Sequence, residues 1–553
     1  MASSRNIRDG QRTRQGPTDR RLKNEVRKGR SAIAREKTED NLRNFRTVRN
    51  RYVAALRKAR RQSWRDRVTA DGRGNVWGVA YKCIRGKMKE RGAGIVSLGD
   101  GLVHTPAREG GRRCWRGFCL GIRDGVLDEG GISVDECKGV FWDMHPKKAP
   151  GPDGVRGWMV RAGWEIVSGE IVRIFNQCWE KRKFLRDWKI GRMVLIPKKD
   201  GGLRPLTMLS VIGKGFEKIL RDRIDAHMDR VGGVHPHQYG FVVGKSTVDA
   251  MLAVQQHVRT ATAKYVVGIF VDIAGAFDNA WWPCVLLELR GLRVSAAIYD
   301  LVCDYFRCRV TSVAGGSSDA PGRLLERGCP QGSVLGPTLW KLVMNSFLRL
   351  DWGRGNLAIA YADDGVILVG ADSRRQLEVD IPVALERLRR WAGSIKLRVS
   401  PTKTKMLLLK GRTFIDHPLG AWYEGVRIRA THYVDYLGVR WGIRGDVQLH
   451  VAAVADKGSA FAGVLRRFGG FGWGYGHRGR ATLYRAVFLG FTTYAARVWG
   501  VNLRVRDRRK LLSSQRSVLI SATCCFRTAS GEALCVVAGE MPLDIVVWER
   551  AQN

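Results

Sequence analysis

Three aspartates stand where a chain would ordinarily avoid charge. Asp272 closes an apolar run, Ile269-Phe270-Val271-Asp272, and Asp363 and Asp364 adjoin in Ile359-Ala360-Tyr361-Ala362-Asp363-Asp364-Gly365-Val366. Taken singly, each has a plain structural reading: an aspartate after a strand commonly caps a helix, and Asp-Gly between strands commonly makes a hairpin turn. Together they say more. If both apolar segments lie in one sheet, three carboxylates converge in a small volume. Such anions repel one another and partly protonate unless cations compensate. Hard divalent ions with oxygen ligands are the natural compensation, and Mg²⁺, with Mn²⁺ as a substitute, suits phosphate substrates. Two ions about 3.5–4 Å apart would clamp an in-line phosphoryl transfer, one activating a hydroxyl nucleophile and the other stabilising the leaving oxygen.

Short strands must deliver these acids. Val266 to Val271 runs directly into Asp272, while Leu357–Tyr361 and Val366–Val369 flank the acid pair. Upstream, Met193–Pro197, the turn Lys198-Lys199-Asp200-Gly201-Gly202 and the return Leu203–Leu206 read as a β-hairpin with a basic tip. Helical spacing covers about Val211–Met228 and Thr247–Ala263. It recurs over Arg374–Trp391, where Leu377, Ile381, Leu385, Leu388 and Trp391 share a face and Pro382 implies a kink. Lys405–Leu409 and Tyr433–Trp441 are strand-like. From about 450 the pattern is mostly helical, best over Leu483–Val498, with Leu483, Val487, Phe491, Tyr494 and Val498 on one face. Strands and helices do not alternate regularly, which predicts an α+β class.

Charge points to the partner. Of 553 residues, 95 are Lys or Arg and 52 are Asp or Glu, a net charge of +43 that suits a polyanion such as nucleic acid. Residues 1–70 alone carry 22 basic and 7 acidic side chains, net +15. The first forty read as a disordered basic arm. From Asn41 to Val68, Leu42, Phe45, Val48, Tyr52, Leu56 and Trp64 recur at helical spacing among arginines of one sign, as a phosphate-contacting helix would have them. The plain alternative is a solvated charged helix. At 44% hydrophobic residues the chain can fill large cores. No run approaches the roughly 20 apolar residues of a membrane span. Nor is there a secretory signal, and the 12 cysteines show no disulfide framework, so an intracellular protein with reduced thiols is expected.

At this point the order of motifs resembles the reverse transcriptases of non-LTR (LINE-type) retrotransposons. Eight motifs carry the likeness. They are Lys148-Ala149-Pro150-Gly151-Pro152-Asp153-Gly154, the Ile196-Pro197-Lys198…Leu203-Arg204-Pro205 hairpin, Gln238-Tyr239-Gly240-Phe241…Gly244-Lys245-Ser246-Thr247, Phe270-Val271-Asp272 through Asp278, Gly328-Cys329-Pro330-Gln331-Gly332 through Pro337, Tyr361-Ala362-Asp363-Asp364, Pro401-Thr402-Lys403-Thr404-Lys405 and Tyr436-Leu437-Gly438-Val439. The stretch from Asp272 to Trp282 looks most like the arthropod clade that inserts into ribosomal RNA genes.

The resemblance implies roles. Asp272, Asp363 and Asp364 would hold the two metals. Gly275 and Ala276 would offer backbone N–H groups to the incoming triphosphate, Lys198 and Arg204 would hold its outer phosphates, and Lys403 would lie near the leaving pyrophosphate. Gln331 would line the nucleotide pocket, and Tyr436, Leu437 and Gly438 would lie under the primer terminus. Phe277, an aromatic five residues after Asp272, would collide with a ribose 2′-OH and so select deoxynucleotides; its bland reading is a core phenylalanine. For Lys198 and Lys403 the bland reading is surface lysine. Val242 and Lys245 stand where the family usually has arginines, which would weaken template contacts there.

The implied architecture is a right-handed α+β polymerase with a basic helical N-terminal extension. Residues 1–40 would be the arm, 41–135 the extension and 136–177 a lead-in; 178–443 would form fingers and palm, and 444–553 a helical thumb and C-terminal region. Template RNA, primer or target DNA and dNTPs are the implied partners. No endonuclease and no zinc knuckle is evident in the sequence, which suggests the polymerase part of a larger element or a truncated copy. Action in the nucleus, including the nucleolus, after ribonucleoprotein assembly in the cytoplasm is the corresponding expectation. Other readings are a group II intron-type maturase, a telomerase-like polymerase, and a catalytically silent, domesticated nucleic-acid-binding protein.

Overall fold

A computed structural model describes residues 130–197, 202–313, 322–412, 419–467, 469–470, 473–501 and 503–552, with single positions between 24 and 51. The chain divides into two compact units: residues 101–449, and a second made of Met1–Asp100 with His450–Asn553.

The first unit is built on a four-stranded antiparallel sheet of β3 (Tyr265–Val271), β6 (Leu357–Tyr361), β7 (Asp364–Ala371) and β8 (Lys405–Lys410), in the order β6-β7-β3-β8. β3 is apolar throughout because both neighbours and both faces enclose it; Val266, Val267 and Ile269 have no exposure. A second sheet, ordered β2-β1-β4-β5, joins β1 (Ile190–Pro197), β2 (Leu203–Met208), β4 (Val310–Val313) and β5 (Arg323–Leu324).

Three helices matter for the site: α1 (Val211–Val231), α2 (Gly336–Leu348) and α3 (Arg374–Ser394). The expected face of α3 is buried: Leu377, Ile381, Leu385, Leu388 and Trp391 are all at most 5% exposed. Pro382 lies within the helix and is exposed, and the helix runs from Arg374 to Ser394 through it. Residues 136–177, read from sequence as a separate lead-in, share the core of this unit. Phe141 packs on Phe175, and Phe175 on Trp188 and Phe216, with ring centroids 5.3–6.4 Å apart.

Three local expectations are corrected. Tyr433–Trp441 is not one strand but a hairpin of β9 (Tyr433–Tyr436) and β10 (Val439–Gly442). Leu437 and Gly438 turn it at φ +47° and +83°, the double positive φ of a tight hairpin. The stretch Leu483–Val498, in the second unit, is not one α-helix. A π-helical turn at Tyr484–Leu489 and a left-handed residue, Ala495, rotate its face, so Tyr484, Phe488 and Thr492 are buried rather than Leu483, Val487 and Phe491. The arm is not structureless throughout, because Asn24, Glu25, Lys28, Ser31 and Ala32 are helical; straight-chain Lys, Arg and Glu favour helix as readily as they favour solvation. Asn44, Phe45, Thr47, Val48, Asn50 and Arg51 are helical as well, with Phe45 and Val48 half-buried. The remainder of the expected Asn41–Val68 helix lies outside the described residues.

Candidate active site

The ladder between β3 and β7 pairs Val271 with Gly365, so Asp272 and Asp364 leave neighbouring strands at the same end of the sheet. β6 and β7 close at Tyr361 and Asp364, leaving Ala362 and Asp363 as the two-residue turn. Asp364-Gly365 is therefore strand, not the hairpin turn that Asp-Gly suggests in isolation. Ala362 takes φ +57°, a conformation costly for an L residue with a Cβ and typical of sites where surroundings impose it.

The surroundings are the Gln238-Tyr239-Gly240 segment. Tyr239 N–H donates to Ala360 O (2.9 Å) and Ala360 N–H to His237 O (3.1 Å), a single parallel bridge beside the turn. A Cβ on Gly240 would lie 2.0 Å from Ala362 N, so only glycine permits this approach. Lys245 ties the segment down by donating to Pro236 O (2.6 Å) and Gln238 O (3.0 Å), and it lies over the Tyr239 ring. The lysine that replaces a usual arginine is thus turned toward the protein's own backbone.

Asp272 is held from the other side. Its N–H donates to Thr404 Oγ1 (3.4 Å), its carbonyl accepts from Ser400 N–H (2.8 Å), and Ala274 N–H donates to Arg398 O (2.9 Å). The loop bearing Lys403 is thereby sewn to the strand bearing Asp272. The acids act on one another: the Asp364 carboxyl is pushed up to about 6, first by desolvation and then by the negative charges of Asp363 and Asp272. Among the described residues no three His, Cys, Asp or Glu side chains form a ready-made metal cage. The donor chemistry nevertheless fits a hard divalent ion, since all three groups are carboxylates and their mutual repulsion is what a cation relieves.

Asp272 and Asp363 open into a cavity of about 570 Å³ that is also lined by Arg204, Gly275, Ala276, Phe277, Gln331 and Lys403. Six sequence-nominated substrate residues thus meet two nominated acids. Gly275, at φ +57°, starts the single helical turn Ala276–Asn279. The Gly328–Gly332 loop is stitched to that turn: Gly328 N–H donates to Ala280 O and Cys329 N–H to Phe277 O, both at 2.8 Å. Gln331 is fixed at both ends, its carbonyl accepting from Thr207 N–H (2.7 Å) and its Nε2 donating to Asp278 (3.1 and 3.2 Å).

Behind the loop lies a buried ion pair that the sequence did not disclose. Glu217 of α1 accepts from Ser333 Oγ (2.7 Å) and Val334 N–H (2.8 Å), and Arg309 lies 3.6 Å away; their side chains are 3% and 1% exposed. A charge inside an apolar helical pattern was the available signal. Asp278, Gly240 and Lys245 were within quoted motifs but had no role tied to the catalytic turn or to Gln331.

Two nominations fare differently. Lys198 and the rest of the hairpin tip lie outside the described residues. Tyr436 is 4% exposed against Phe270, its hydroxyl buried with no hydrogen-bond partner among the described residues and its pKa raised by burial and by the nearby Asp364 charge. The accessible part of that motif is Leu437-Gly438.

Comparison with known proteins places the same residues in a family. Residues 196–441 match the family described as reverse transcriptase (RNA-dependent DNA polymerase). The retrovirus-related Pol polyprotein from type-1 retrotransposable element R1 of Bradysia coprophila is 33% identical over 92% of this chain and 52% of its own length. The putative 115 kDa protein in type-1 retrotransposable element R1DM of Drosophila melanogaster is 28% identical over 89% of this chain and 49% of its own. The chain thus spans about half the length of these relatives. Among solved structures, apo telomerase from Candida tropicalis aligns over 66% of each chain at 12% identity, with a TM-score of 0.35. Residues 196–441 therefore match the reverse transcriptase family, and the chain around them is similar in sequence to proteins of the type-1 retrotransposable elements R1 and R1DM.

Proposed function

We propose that the whole chain copies RNA into DNA. It adds a deoxynucleoside monophosphate to a primer 3′-OH on an RNA template, forming a phosphodiester bond and releasing pyrophosphate. The observation that carries this reading is the single cavity holding Asp272 and Asp363 together with Arg204, Lys403, Gln331 and Phe277. Two Mg²⁺ ions bound at Asp272, Asp363 and Asp364 would supply activation of the primer hydroxyl and stabilisation of the leaving oxygen.

The chain's own groups do the rest. Arg204 and Lys403 balance triphosphate charge, Arg204 as a planar fork and Lys403 as a point charge. Gly275 and Ala276 let the backbone approach the phosphates closely. Gln331, pinned by Thr207 and Asp278, forms a fixed wall for the base and sugar. Phe277 excludes a 2′-OH by its bulk. The likeness to R1 supports a nicked chromosomal strand as primer, hence target-primed retrotransposition in the nucleus and nucleolus after assembly with template RNA in the cytoplasm. Among the described residues no helix is long and apolar enough to cross a membrane.

The test is primer extension on poly(rA)/oligo(dT) with and without Mg²⁺. Template-dependent, Mg²⁺-dependent addition of dTMP is expected. RNA binding without extension would instead support a silent, domesticated binding protein.

A further inference from the structure

Among the described residues Phe277 has two ring neighbours besides the cavity. Trp340 of α2, fully buried, lies 5.6 Å away at 33°. Phe241 packs perpendicular to it, 5.9 Å away at 81°. The two neighbours differ in kind. Trp340 belongs to the core, whereas Phe241 is 44% exposed and sits at φ +59°. An aromatic residue held in left-handed backbone at a half-open surface contributes little to a core. Its conformation is imposed by its attachment, because Phe241 directly follows Gly240, whose backbone is packed on the Ala362-Asp363 turn.

We propose that Phe241 is a positioning residue for sugar selection: its ring packs perpendicular to that of Phe277, so the segment that braces the catalytic turn also holds the sugar gate. The inference rests on the reading of Phe277 as that gate. Without Phe241, Phe277 keeps only the ring contact with Trp340 and is freer to turn, which softens the clash with a 2′-OH. An edge-to-face pair of this kind is worth about two- to tenfold in the population of one ring orientation.

Single-nucleotide extension by the full chain, comparing rUTP with dTTP, tests this. The variants are Phe277→Val, Phe241→Ala, Phe241→Leu and the double variant Phe277→Val/Phe241→Ala. Phe277→Val should give the largest rise in the rUTP:dTTP efficiency ratio. Phe241→Ala should raise the ratio about two- to tenfold. Phe241→Leu, which fills the space without an aromatic edge, should shift it in the same direction by less and covers the case in which the alanine variant folds poorly. The double variant should match Phe277→Val alone, because a gate already removed cannot be loosened. If Phe277→Val leaves the ratio unchanged, the gate reading falls and this inference falls with it. If Phe277→Val raises the ratio while both Phe241 variants leave it alone, or if the effects multiply in the double variant, the gate stands and the role of Phe241 is refuted. Equal loss of rUTP and dTTP use in the Phe241 variants would also refute it, by assigning the ring to the turn or the template.

Discussion

The acidic and basic sides of the cavity are built by different rules. Asp272 and Asp364 leave adjacent strands in the interior of a four-stranded sheet, and the turn bearing Asp363 is backed by a further segment of chain. Arg204 projects from β2, an edge strand of the other sheet, and Lys403 from a loop; both are exposed. The proposed phosphoryl transfer accounts for the contrast. Acids that hold reacting atoms must be right to a fraction of an ångström, whereas neutralising a triphosphate tolerates long stems that adjust to the ligand. Side-chain loss on the acidic side should therefore abolish chemistry, and on the basic side should weaken binding.

The largest expected effect is that of Asp363→Asn. It keeps the shape and removes a charge from the acid cluster, so single-turnover extension should fall roughly 10³-fold or more, each 1.36 kcal/mol being tenfold. RNA affinity measured on the same protein should persist. Comparable extension by variant and parent would remove Asp363 from the chemistry.

Next is Gly240→Ala, which leaves every acid in place but puts a methyl 2.0 Å from Ala362 N. A displacement near 1 Å in reacting geometry costs up to about 10²-fold, so kcat should drop by roughly that factor while KM for dTTP moves little. An unaltered kcat would mean the turn needs no brace. Arg204→Ala should do the reverse, raising KM for dTTP about tenfold with a smaller change in kcat, as loss of a charge-assisted phosphate bond predicts. A pure kcat effect would move Arg204 to the acidic side of the comparison.

The smallest effect on turnover concerns residues 1–70, with their net charge of +15. Deleting them should leave extension of a saturating primer–template intact while flattening the salt dependence of binding. Losing five phosphate contacts would change the slope of log K against log salt by about 3–4 units. A preserved slope with a lower melting temperature would make the segment a packing element instead.

What could be read from sequence divides by the range of the contacts rather than by the side of the cavity. Short apolar strands ending in acid were legible because three such acids, each explicable alone as a cap or a turn, together point to one site at Asp272, Asp363 and Asp364. The buried stripe of α3 followed directly from its period. Features that depend on contacts far along the chain were not legible. Glu217 finds Arg309 and Ser333 only in the folded state, and Gly240 meets Ala362 across more than a hundred residues. The π-turn at Tyr484–Leu489 shifts a helical face without any local signature, and Leu437-Gly438 hides a turn inside a run that reads as strand.

The pairing of β3 with β7 also sets a schedule for synthesis. Val271 waits for Gly365 and Tyr265 for Ala371, and the other neighbour, β8, lies further along still. At ribosomal speeds of about 5–20 residues per second, β3 is made roughly 5–20 s before its first partner exists. During that interval an apolar strand without ladder partners is exposed to every other sticky chain nearby, and long-range pairing of this kind is slow to form even when the partner arrives. The sheet that fixes the acids most firmly in the finished protein is therefore the part of the nascent chain most in need of a chaperone.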